Sequence, residues 1–454
     1  MSEIKQHPQW SSRFAFILAA TGSAVGLGNI WKFPYITGEN GGGAFVLVYL
    51  ACIALIGLPV MIAEVMLGRR GRQNPMSSMQ TLAQQEGRSS AWSLIGSVGI
   101  VTAFIILSFY SVIGGWALSY IVEGASSQFV NADTETVGNL FSNLLSSPLQ
   151  LILWHSVFML IVVSIVGKGI KSGMEKSINL LMPLLFILLL ILVGYAWAQG
   201  EFSQGVSFLF APDFSKLTTE GVLAAMGHAF FTLSIGMGVM MAYGSYLPDS
   251  VSIAKTAMTI SILDTLVALL AGLAIFPLVF ANGLEPSAGP GLIFQTLPLA
   301  FGQMSGGVLF ATLFFALLSI AAITSGISVL EPVVELMEEK LSIQRQLGAW
   351  ISGGLIWFLG LATVFSFNAW SSWYPLDFIP WFQEKTPFDI FDFLVTNLLM
   401  PLGGLAIVIF AGWKMNQAKL QQELELGTLW PAFYSGLRYI TPVGILIVFI
   451  YNLL

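Results

Sequence analysis

Charge is scarce in this chain of 454 residues, because only 9% are Asp, Glu, Lys or Arg and 56% are hydrophobic. A soluble domain usually carries about 25% charged residues, so this sequence cannot cover an ordinary water-facing surface. The net charge of −6 argues against a nucleic-acid partner, which would need a basic face. The single cysteine, Cys52, excludes an intramolecular disulfide and a thiolate metal cluster.

The sequence is rich instead in apolar runs, each of which is long enough to cross about 30 Å of hydrocarbon as a helix of about 20 residues. Such runs exclude a β-barrel, whose strands alternate every second residue. We therefore predict an all-α polytopic membrane protein with eleven spans. The predicted spans are 13–37, 42–70, 89–123, 150–167, 174–199, 218–247, 252–282, 305–340, 345–367, 387–413 and 430–454.

Basic residues are distributed unevenly between the two sides of these spans. With a cytoplasmic N-terminus, 15 of the 18 fall in cytoplasmic segments. They are Lys5, Arg13, Arg69, Arg70, Arg72, Arg88, Lys168, Lys171, Lys176, Lys255, Lys340, Arg345, Lys414, Lys419 and Arg438. Cytoplasmic loops of membrane proteins carry such an excess. We expect a multi-pass protein of the inner (plasma) membrane with its N-terminus inside and its C-terminus outside.

Two spans contain glycine clusters in mid-membrane, TGSAVGLGN (21–29) in the first and FFTLSIGMGV (230–239) in the sixth. Glycine weakens a helix interior by about 1 kcal/mol relative to alanine, and it lets the backbone approach a ligand closely. For one isolated cluster, close helix packing is an alternative. Breaks that recur five spans apart favour an inverted five-plus-five helix repeat, with broken helices 1 and 6 at a substrate site. The single transporter domain then comprises two repeats and an eleventh helix, at about 13–199, 218–413 and 430–454.

At these residues the chain resembles the neurotransmitter:sodium symporter family, in the bacterial amino-acid branch with eleven transmembrane helices. The resemblance runs from about Trp10 to the end. Its strongest segments are GSAVGLGNIWKFPY (22–35), ENGGGAFVLVY (39–49), GLPVMIAEVMLGRRG (57–71), AFFTLSIGMG (229–238), AAITSGISVLEP (321–332) and FDIFDFLVTNLLMPLGG (388–404). The resemblance implies Na⁺-driven symport by alternating access, in which spans 1, 2, 6 and 7 rock against a scaffold.

The resemblance also implies two sodium sites beside the first break. The first would be formed by Ala24, Asn29, Thr232 and Asp264, and the second by the carbonyls of Gly22, Val25 and Ala321 with the hydroxyls of Thr324 and Ser325. Hydroxyls in membrane helices often bond back to a carbonyl one turn earlier, which is the alternative for the last two residues. Their place beside a broken span favours the ion.

Asp264 stands where many relatives have asparagine, and a carboxylate in mid-span is functional by default. Animal relatives bind chloride beside it, through residues that match Tyr49, His228, Thr232 and Ala268. Here His228 replaces a glutamine and Ala268 replaces a serine. We expect coupling without chloride, in which Asp264, alone or shared with His228, takes up a proton for the return step. A neutral structural imidazole is the alternative for His228.

The resemblance places the substrate carboxylate near Gly26 and Gly28, with the Tyr110 hydroxyl as a donor. Helix N-termini favour anions and C-termini favour cations, so the two breaks suit a zwitterion. The expected substrate-binding residues are Ser23, Ala24, Gly26, Gly28, Ile106, Tyr110, Phe231, Thr232, Ser234, Met237, Ser325 and Val329. Relatives that carry monoamines have an aspartate at the Gly26 position, so glycine argues for an amino acid.

None of the lining side chains is charged, which predicts a neutral hydrophobic substrate. Met237 is flexible and Val329 is modest in size, so aromatic amino acids are included. Ordinary helix packing is the alternative for each apolar residue. For the whole protein, the alternatives are a sodium-dependent transporter of another small zwitterion, or an amino-acid-gated channel or sensor on the same fold. An enzyme is not expected, because His7, His155 and His228 lack metal-binding spacing.

By resemblance, the outer gate pairs Lys32 with Asp392 above a lid formed by Tyr110 and Phe231. Most relatives have arginine at the Lys32 position. Lysine lacks the bidentate fork of arginine, so we expect a gate that closes less rigidly. The segment 283–304 is too apolar for a free loop, and we expect it to fold back as short helices over an outer vestibule.

The inner gate is expected at Trp10 and Glu339. Lys5 or His7 would replace the N-terminal arginine of relatives, and a solvated tail is the alternative. In span two, we expect Glu64 to accept backbone amides that are freed by the break in span six, because such amides need partners inside a membrane.

Overall fold

The computed structural model describes residues 9–286, 291–451 and 453, and every regular element within them is helical. Eleven spans follow one another along the chain. They are Arg13–Ala24 with Gly28–Glu39, Gly43–Gly71, Ser90–Ala125, Pro148–Gly167, Ile170–Gln199, Thr219–Thr232 with Val239–Ser245, Ile253–Ala281, Gly307–Lys340, Arg345–Ser366, Pro387–Lys414 and Gly427–Tyr451. We number them spans 1 to 11.

Within the described residues, nine of these helices are long and apolar enough to cross a membrane, and the bent halves of span 1 make a tenth. Span 6 is built from two shorter helices of 14 and 7 residues. The all-helical membrane fold and ten of the predicted spans are confirmed, and the largest boundary difference is at span 5, which begins at Ile170 rather than 174. Apolar runs locate helices well because their length is set by the hydrocarbon thickness.

Shorter helices connect the spans. They are Pro75–Gln85, Thr134–Ser146, Phe202–Phe210, Leu292–Thr296 with Leu297–Gln303, and Gln417–Leu424. The pair after residue 291 confirms the expected fold-back of the apolar outer segment, whose residues 287–290 lie outside the described part. The Tyr120 hydroxyl of span 3 donates to the Phe294 carbonyl over 3.0 Å, which fixes these helices against the bundle.

The break in span 1 begins at Val25, whose backbone turns to an extended conformation (φ −71°, ψ 108°). The two halves then diverge by 50°. In span 6 the chain leaves helical geometry through positive φ angles at Ser234, Gly236 and Gly238, of 52°, 81° and 75°. Glycine adopts such angles without steric cost, so the glycine clusters account for the local geometry.

Glu64 of span 2 stabilises the second break. Its carboxylate accepts the Gly236 backbone N–H over 3.1 Å, and its side chain is fully buried. This confirms the role that we predicted for Glu64. A buried amide without a partner would cost free energy, so this contact helps to keep non-helical backbone inside the bundle.

The bundle has two distinct ends. We call the end that carries Arg69, Arg72 and Arg345 the basic face, and the end that carries Lys32 and Asp392 the vestibule face. At the centre, spans 3 and 8 pack along each other and contact both halves of the break region.

Candidate functional site

A small cavity of about 20 Å³ lies between the two helix breaks. It is lined by Ser23, Ala24, Gly26, Leu27, Gly28, Ile106, Tyr110, Phe231, Ser234, Met237, Ser325 and Val329. Eleven of the twelve predicted substrate residues therefore meet at one place. The exception is Thr232, whose side chain points to the neighbouring polar cluster around Asp264. Leu27 was not predicted, although its position between Gly26 and Gly28 could have suggested it.

Three residues separate this central cavity from a larger one on the vestibule face. Leu27, Tyr110 and Phe231 line both the central cavity and a vestibule of about 340 Å³. The Tyr110 hydroxyl accepts the Leu27 backbone N–H over 3.3 Å, which holds the tyrosine at the break. Tyr110 and Phe231 thus lie where a lid over the central cavity would lie.

Gly26 lies in tight surroundings. A Cβ atom there would lie 2.5 Å from the Ser325 hydroxyl and 2.8 Å from the Tyr110 hydroxyl. A Cβ at Gly28 would lie 3.2 Å from the Phe231 ring. Side chains at these two positions would therefore occupy the space between the breaks. Without them, the glycine backbone that lines the cavity is available to a ligand.

Hydroxyls connect the two breaks through backbone oxygens. Ser234, in the break of span 6, donates to the Ser23 carbonyl over 2.9 Å. Ser325 of span 8 reaches the Ser23 and Val25 carbonyls, at 3.2 and 3.0 Å. Carbonyl oxygens that have left their helix carry partial negative charge, so this edge of the cavity suits a cation.

The five residues predicted for the second sodium site also come together. The Ser325 hydroxyl lies 3.3 Å from the Gly22 carbonyl and 3.0 Å from that of Val25. The Thr324 hydroxyl lies 3.1 Å from the Ala321 carbonyl. All of these groups are neutral oxygens, which are ligands that hard cations prefer.

The hydroxyls of Thr324 and Ser325 differ in whether they bond back to a carbonyl of their own helix. Thr324 does bond back, to the Ile320 and Ala321 carbonyls at 3.1 Å each. The bonds of Ser325 instead run across to span 1. Back-bonding therefore explains Thr324 but does not explain the orientation of Ser325.

The residues predicted for the first sodium site form a compact polar cluster. The Asn29 amide nitrogen donates to Thr232 Oγ1 at 3.0 Å and to Asp264 Oδ1 at 2.7 Å. The Thr232 hydroxyl donates to Asp264 Oδ2 at 3.0 Å, and the Asn29 carbonyl oxygen accepts the Gly26 N–H at 3.0 Å. Asp264 is fully buried, so its carboxylate depends on these neighbours for stabilisation.

His228 lies beside this cluster, on the side towards span 2. Its ring stacks on Phe33 and Tyr49, with centroid distances of 6.0 and 5.4 Å. Neither ring nitrogen of His228 has a hydrogen-bond partner among the described residues. Ala268 is buried and brings no polar side-chain atom to this position.

The predicted ion pair between Lys32 and Asp392 is not formed among the described residues. The Lys32 ammonium instead lies 4.7 Å from the centre of the Phe231 ring. Both charged residues line the vestibule, which leaves space between them. This corrects the expectation of a closed outer gate, and the physical reason is that the open vestibule keeps the two charges apart in this conformation.

The basic face is closed around Trp10, whose side chain is buried. Its indole N–H donates to the Tyr243 carbonyl and its backbone N–H to the Tyr246 carbonyl, both over 3.2 Å. Glu339 accepts two hydrogen bonds of 2.7 Å from Asn74. The Lys5 and His7 positions that we considered as partners lie outside the described residues.

Sequence reasoning missed a second set of contacts on this face. The Tyr246 hydroxyl donates to Glu331 over 2.9 Å, and Arg345 forms a salt bridge with the same buried carboxylate. Ser245 donates to Glu335 over 3.1 Å. The spacing of the acids at 331, 335 and 339 places them on one helix face and was a usable signal. Their partners were not recognisable, because they lie in other spans.

Known proteins resemble the chain over nearly its whole length. A family model described as the sodium:neurotransmitter symporter family matches residues 7–139 and 125–454. An uncharacterized sodium-dependent transporter of Bacillus subtilis, YhdH, is 40% identical over 99% of this chain and 98% of its own. Another from Haemophilus influenzae is 35% identical over 99% of both chains. The crystal structure of MhsT in complex with L-phenylalanine, 41% identical, matches with a TM-score of 0.89 over 98% of this chain and 99% of that chain.

Proposed function

Since the chain belongs to the sodium:neurotransmitter symporter family, we propose that it imports neutral hydrophobic amino acids, aromatic ones included, by alternating access. It is a sodium-dependent symporter and a multi-pass membrane protein, and its family consists of transporters rather than enzymes. The identity of the substrate is the part that we propose.

One observation carries this proposal: the cavity between the two breaks is lined by no charged side chain. A charged substrate side chain would be desolvated there without a partner, at a cost of several kcal/mol. The backbone amides and carbonyls at the breaks, with the Tyr110 and Ser234 hydroxyls, provide donors and acceptors for a carboxylate and an ammonium. An amino acid with an apolar side chain satisfies both conditions.

The size of the substrate follows from two residues at the apolar end of the cavity. Met237 has a flexible thioether side chain that can adapt to its neighbour, and Val329 leaves more room than an aromatic residue. The similar protein MhsT was crystallised with L-phenylalanine, which supports an aromatic side chain as one acceptable substrate.

Two sodium ions are proposed as the coupling cargo. The first would bind among Ala24, Asn29, Thr232 and Asp264, and the second among Gly22, Val25, Ala321, Thr324 and Ser325. Since both groups include backbone from the break in span 1, ion binding would order the same segment that the substrate contacts. When one ligand has already ordered this segment, the other binds at a lower entropic cost, so ion binding and substrate binding favour each other.

We further propose that transport does not need chloride. Asp264 supplies a fixed negative charge beside the first ion site, and the chloride position contains His228 and Ala268 in place of the glutamine and serine of animal relatives. Asp264, alone or shared with His228, would take up a proton when the empty carrier returns. A buried carboxylate that loses its sodium needs such neutralisation.

The topology completes the proposal. Spans 1–5 and 6–10, at about 13–199 and 218–413, would form the two inverted repeats, and 430–454 would form the additional helix. The protein would lie in the inner membrane with the basic face towards the cytoplasm, as the distribution of lysine and arginine favours.

Uptake into proteoliposomes with an imposed Na⁺ gradient tests the function. We expect saturable accumulation of phenylalanine, tryptophan or leucine, equal in chloride and gluconate, and no competition by lysine or glutamate. Failure of every neutral amino acid would contradict the proposal. Uptake that does not saturate, or that has no fixed sodium ratio, would indicate a channel.

A matched pair of variants connects this test to the cavity. Gly26→Asp should abolish amino-acid uptake, because its side chain fills the space beside Tyr110 and Ser325 and adds a charge. Gly138→Asp is the control, since a Cβ at Gly138 meets no atom within 4 Å. Equal loss in both variants, or normal uptake by Gly26→Asp, would place the substrate elsewhere.

A further inference from the structure

We propose that the basic-face end of span 10, together with Arg438 of span 11, binds the phosphate headgroup of an anionic phospholipid. The cations that would hold it are Arg438, Lys414 and Arg88. The binding of a lipid here is independent of the transported substrate, and none of these residues belongs to the central cavity.

Arg438 is held in an aromatic enclosure. Its guanidinium lies 4.4 Å from the centre of the Trp413 ring, and 5.6 and 5.9 Å from those of Tyr439 and Tyr434. The Trp413 indole N–H donates to the Arg438 carbonyl over 3.1 Å, which ties the two spans together at this point. The arginine is therefore oriented before any ligand arrives, and a planar guanidinium suits phosphate oxygens.

Its charge has no counter-ion among the described residues. Arg438 forms no salt bridge there, and its buried Nε has no hydrogen-bond partner. The nearby carboxylate of Glu86 is already shared between Arg70, at 3.6 Å, and Lys419, at 3.2 Å. A cation that is partly removed from water needs compensation from another source.

Two more cations extend the site towards span 3. Arg88, which is exposed before span 3, donates from Nε to the Lys414 carbonyl over 3.3 Å. Neither Arg88 nor Lys414 forms an ion pair in the described part of the chain. Lys414 follows Trp413 directly, so Arg88 and Lys414 are connected through the end of span 10 to the ring that packs against Arg438.

The depth of Arg438 indicates a lipid as the source of the phosphate. At the vestibule face, the Tyr451 hydroxyl of span 11 donates to Glu220 over 3.2 Å. The segment from Arg438 to Tyr451 rises about 20 Å at 1.5 Å per residue, which is less than a hydrocarbon core of about 30 Å. Arg438 therefore lies on the basic-face side of the membrane midplane, and its long side chain extends to the Trp413 ring at the end of span 10, from where it can reach lipid headgroups.

The surroundings suit the rest of a lipid as well. Trp413 and Tyr439 are 47% and 54% exposed, and aromatic side chains of this kind favour the membrane interface. Basic pockets between helices on the cytoplasmic side are a recognised mode of anionic headgroup binding. The structure thus combines a pre-oriented arginine, two further cations and an interfacial aromatic border.

Native mass spectrometry of the full-length protein, released from mixed phosphatidylglycerol and phosphatidylcholine micelles, tests this site. We expect wild-type protein to retain phosphatidylglycerol in preference. Arg88→Gln combined with Lys414→Gln should weaken that retention by about fivefold for each cation removed. Arg438→Gln should abolish the preference, and Arg438→Lys should restore it only in part.

The matched control is Lys168→Gln with Lys255→Gln, which removes two exposed charges from the same face at other helix ends. Equal weakening by this control would indicate general charge attraction and overturn the proposal. A wild-type protein that retains both lipids equally would overturn it too. If millimolar inorganic phosphate stabilises the protein against heat and phosphatidylglycerol does not, the ligand is a free anion and the lipid assignment is wrong.

Discussion

The two faces of this transporter are closed by different chemistry. On the basic face, Trp10 is buried against Tyr243 and Tyr246, and a salt bridge between Glu331 and Arg345 lies beneath it. On the vestibule face, two cavities of about 340 Å³ each reach Lys32 and Asp392, which form no ion pair. The central cavity is separated from the vestibule by little more than two aromatic side chains and Leu27.

This difference indicates which route to the site is easier to open. Opening the basic face must separate the ring packing and hydrogen bonds of Trp10 and the hydrogen bond from Tyr246 to Glu331, whereas opening towards the vestibule requires movement of Phe231 and Tyr110. In alternating access, ion and substrate binding must supply the difference in free energy between the two states. We expect the protein without substrate to favour the state that is sealed on the basic face.

The largest expected effect comes from breaking the buried ion pair. Arg345→Gln leaves the fully buried Glu331 without its cation, and such a loss costs about 3–5 kcal/mol. We expect sodium-driven uptake to fall by more than about tenfold and the thermal midpoint to drop. The Tyr246 hydroxyl would keep its bond to Glu331 but cannot neutralise the charge.

A double variant separates charge from structure in this prediction. Glu331→Gln with Arg345→Gln removes both charges and should recover much of the lost stability, because a neutral pair avoids an uncompensated buried ion. Lys340→Gln, an exposed change at the end of the same helix, is the control. A double variant that is as unstable as Arg345→Gln would show that the ion pair does not maintain the seal.

The second prediction concerns the aromatic part of the seal. Trp10→Ala removes a buried indole and should shift the protein towards the state open on the basic face. In a Cys52→Ala, Met182→Cys background, the new thiol lies near Gly22 and the second ion cluster. We expect a membrane-impermeant thiol reagent applied from the basic face to label it at least about tenfold faster than in the Trp10 parent.

Trp10→Phe tests whether ring packing or hydrogen bonding matters more. Phenylalanine keeps an aromatic ring against Tyr243 but loses the indole donor, so labelling should rise by less than in the alanine variant. If Trp10→Ala labels no faster than its parent, the seal does not depend on the N-terminal segment. The comparison between the two faces would then rest on the ion pair alone.

The contrast between the faces also marks the limit of sequence reasoning. The helical spans and eleven residues of the central cavity were recognisable, because glycine clusters and apolar run lengths are local signals and the family motifs are long. The contact between Ser325 and the Val25 carbonyl fits the predicted ion site, although these residues are 300 positions apart. A family resemblance can predict contacts between residues that are far apart in sequence, provided that the motif residues are retained.

Pairings that depend on side-chain packing between spans were not recognisable. The salt bridge from Arg345 to Glu331 turns back across the loop after span 8, and the Trp10 contacts join the first described residues to the end of span 6. The opposite error occurred at Lys32, where the resemblance implied a pair with Asp392 that is not formed among the described residues. Opposite charges in the sequence do not give the distance between Lys32 and Asp392, which depends on whether the vestibule is open.

The smallest change in transport is expected from a substitution at Lys32, which tests how easily the vestibule face opens. Lys32→Arg should let a longer, forked cation reach Asp392 and lose part of its contact with the Phe231 ring. The cation–π contact contributes on the order of 0.5–1 kcal/mol, so we expect KM and turnover to fall together by about two- to fivefold as the gate stays closed longer. Lys216→Arg, on an exposed side chain, is the matched control. A turnover that rises in Lys32→Arg would mean that the lysine already restrains opening, and the two faces would then differ less than their contacts indicate.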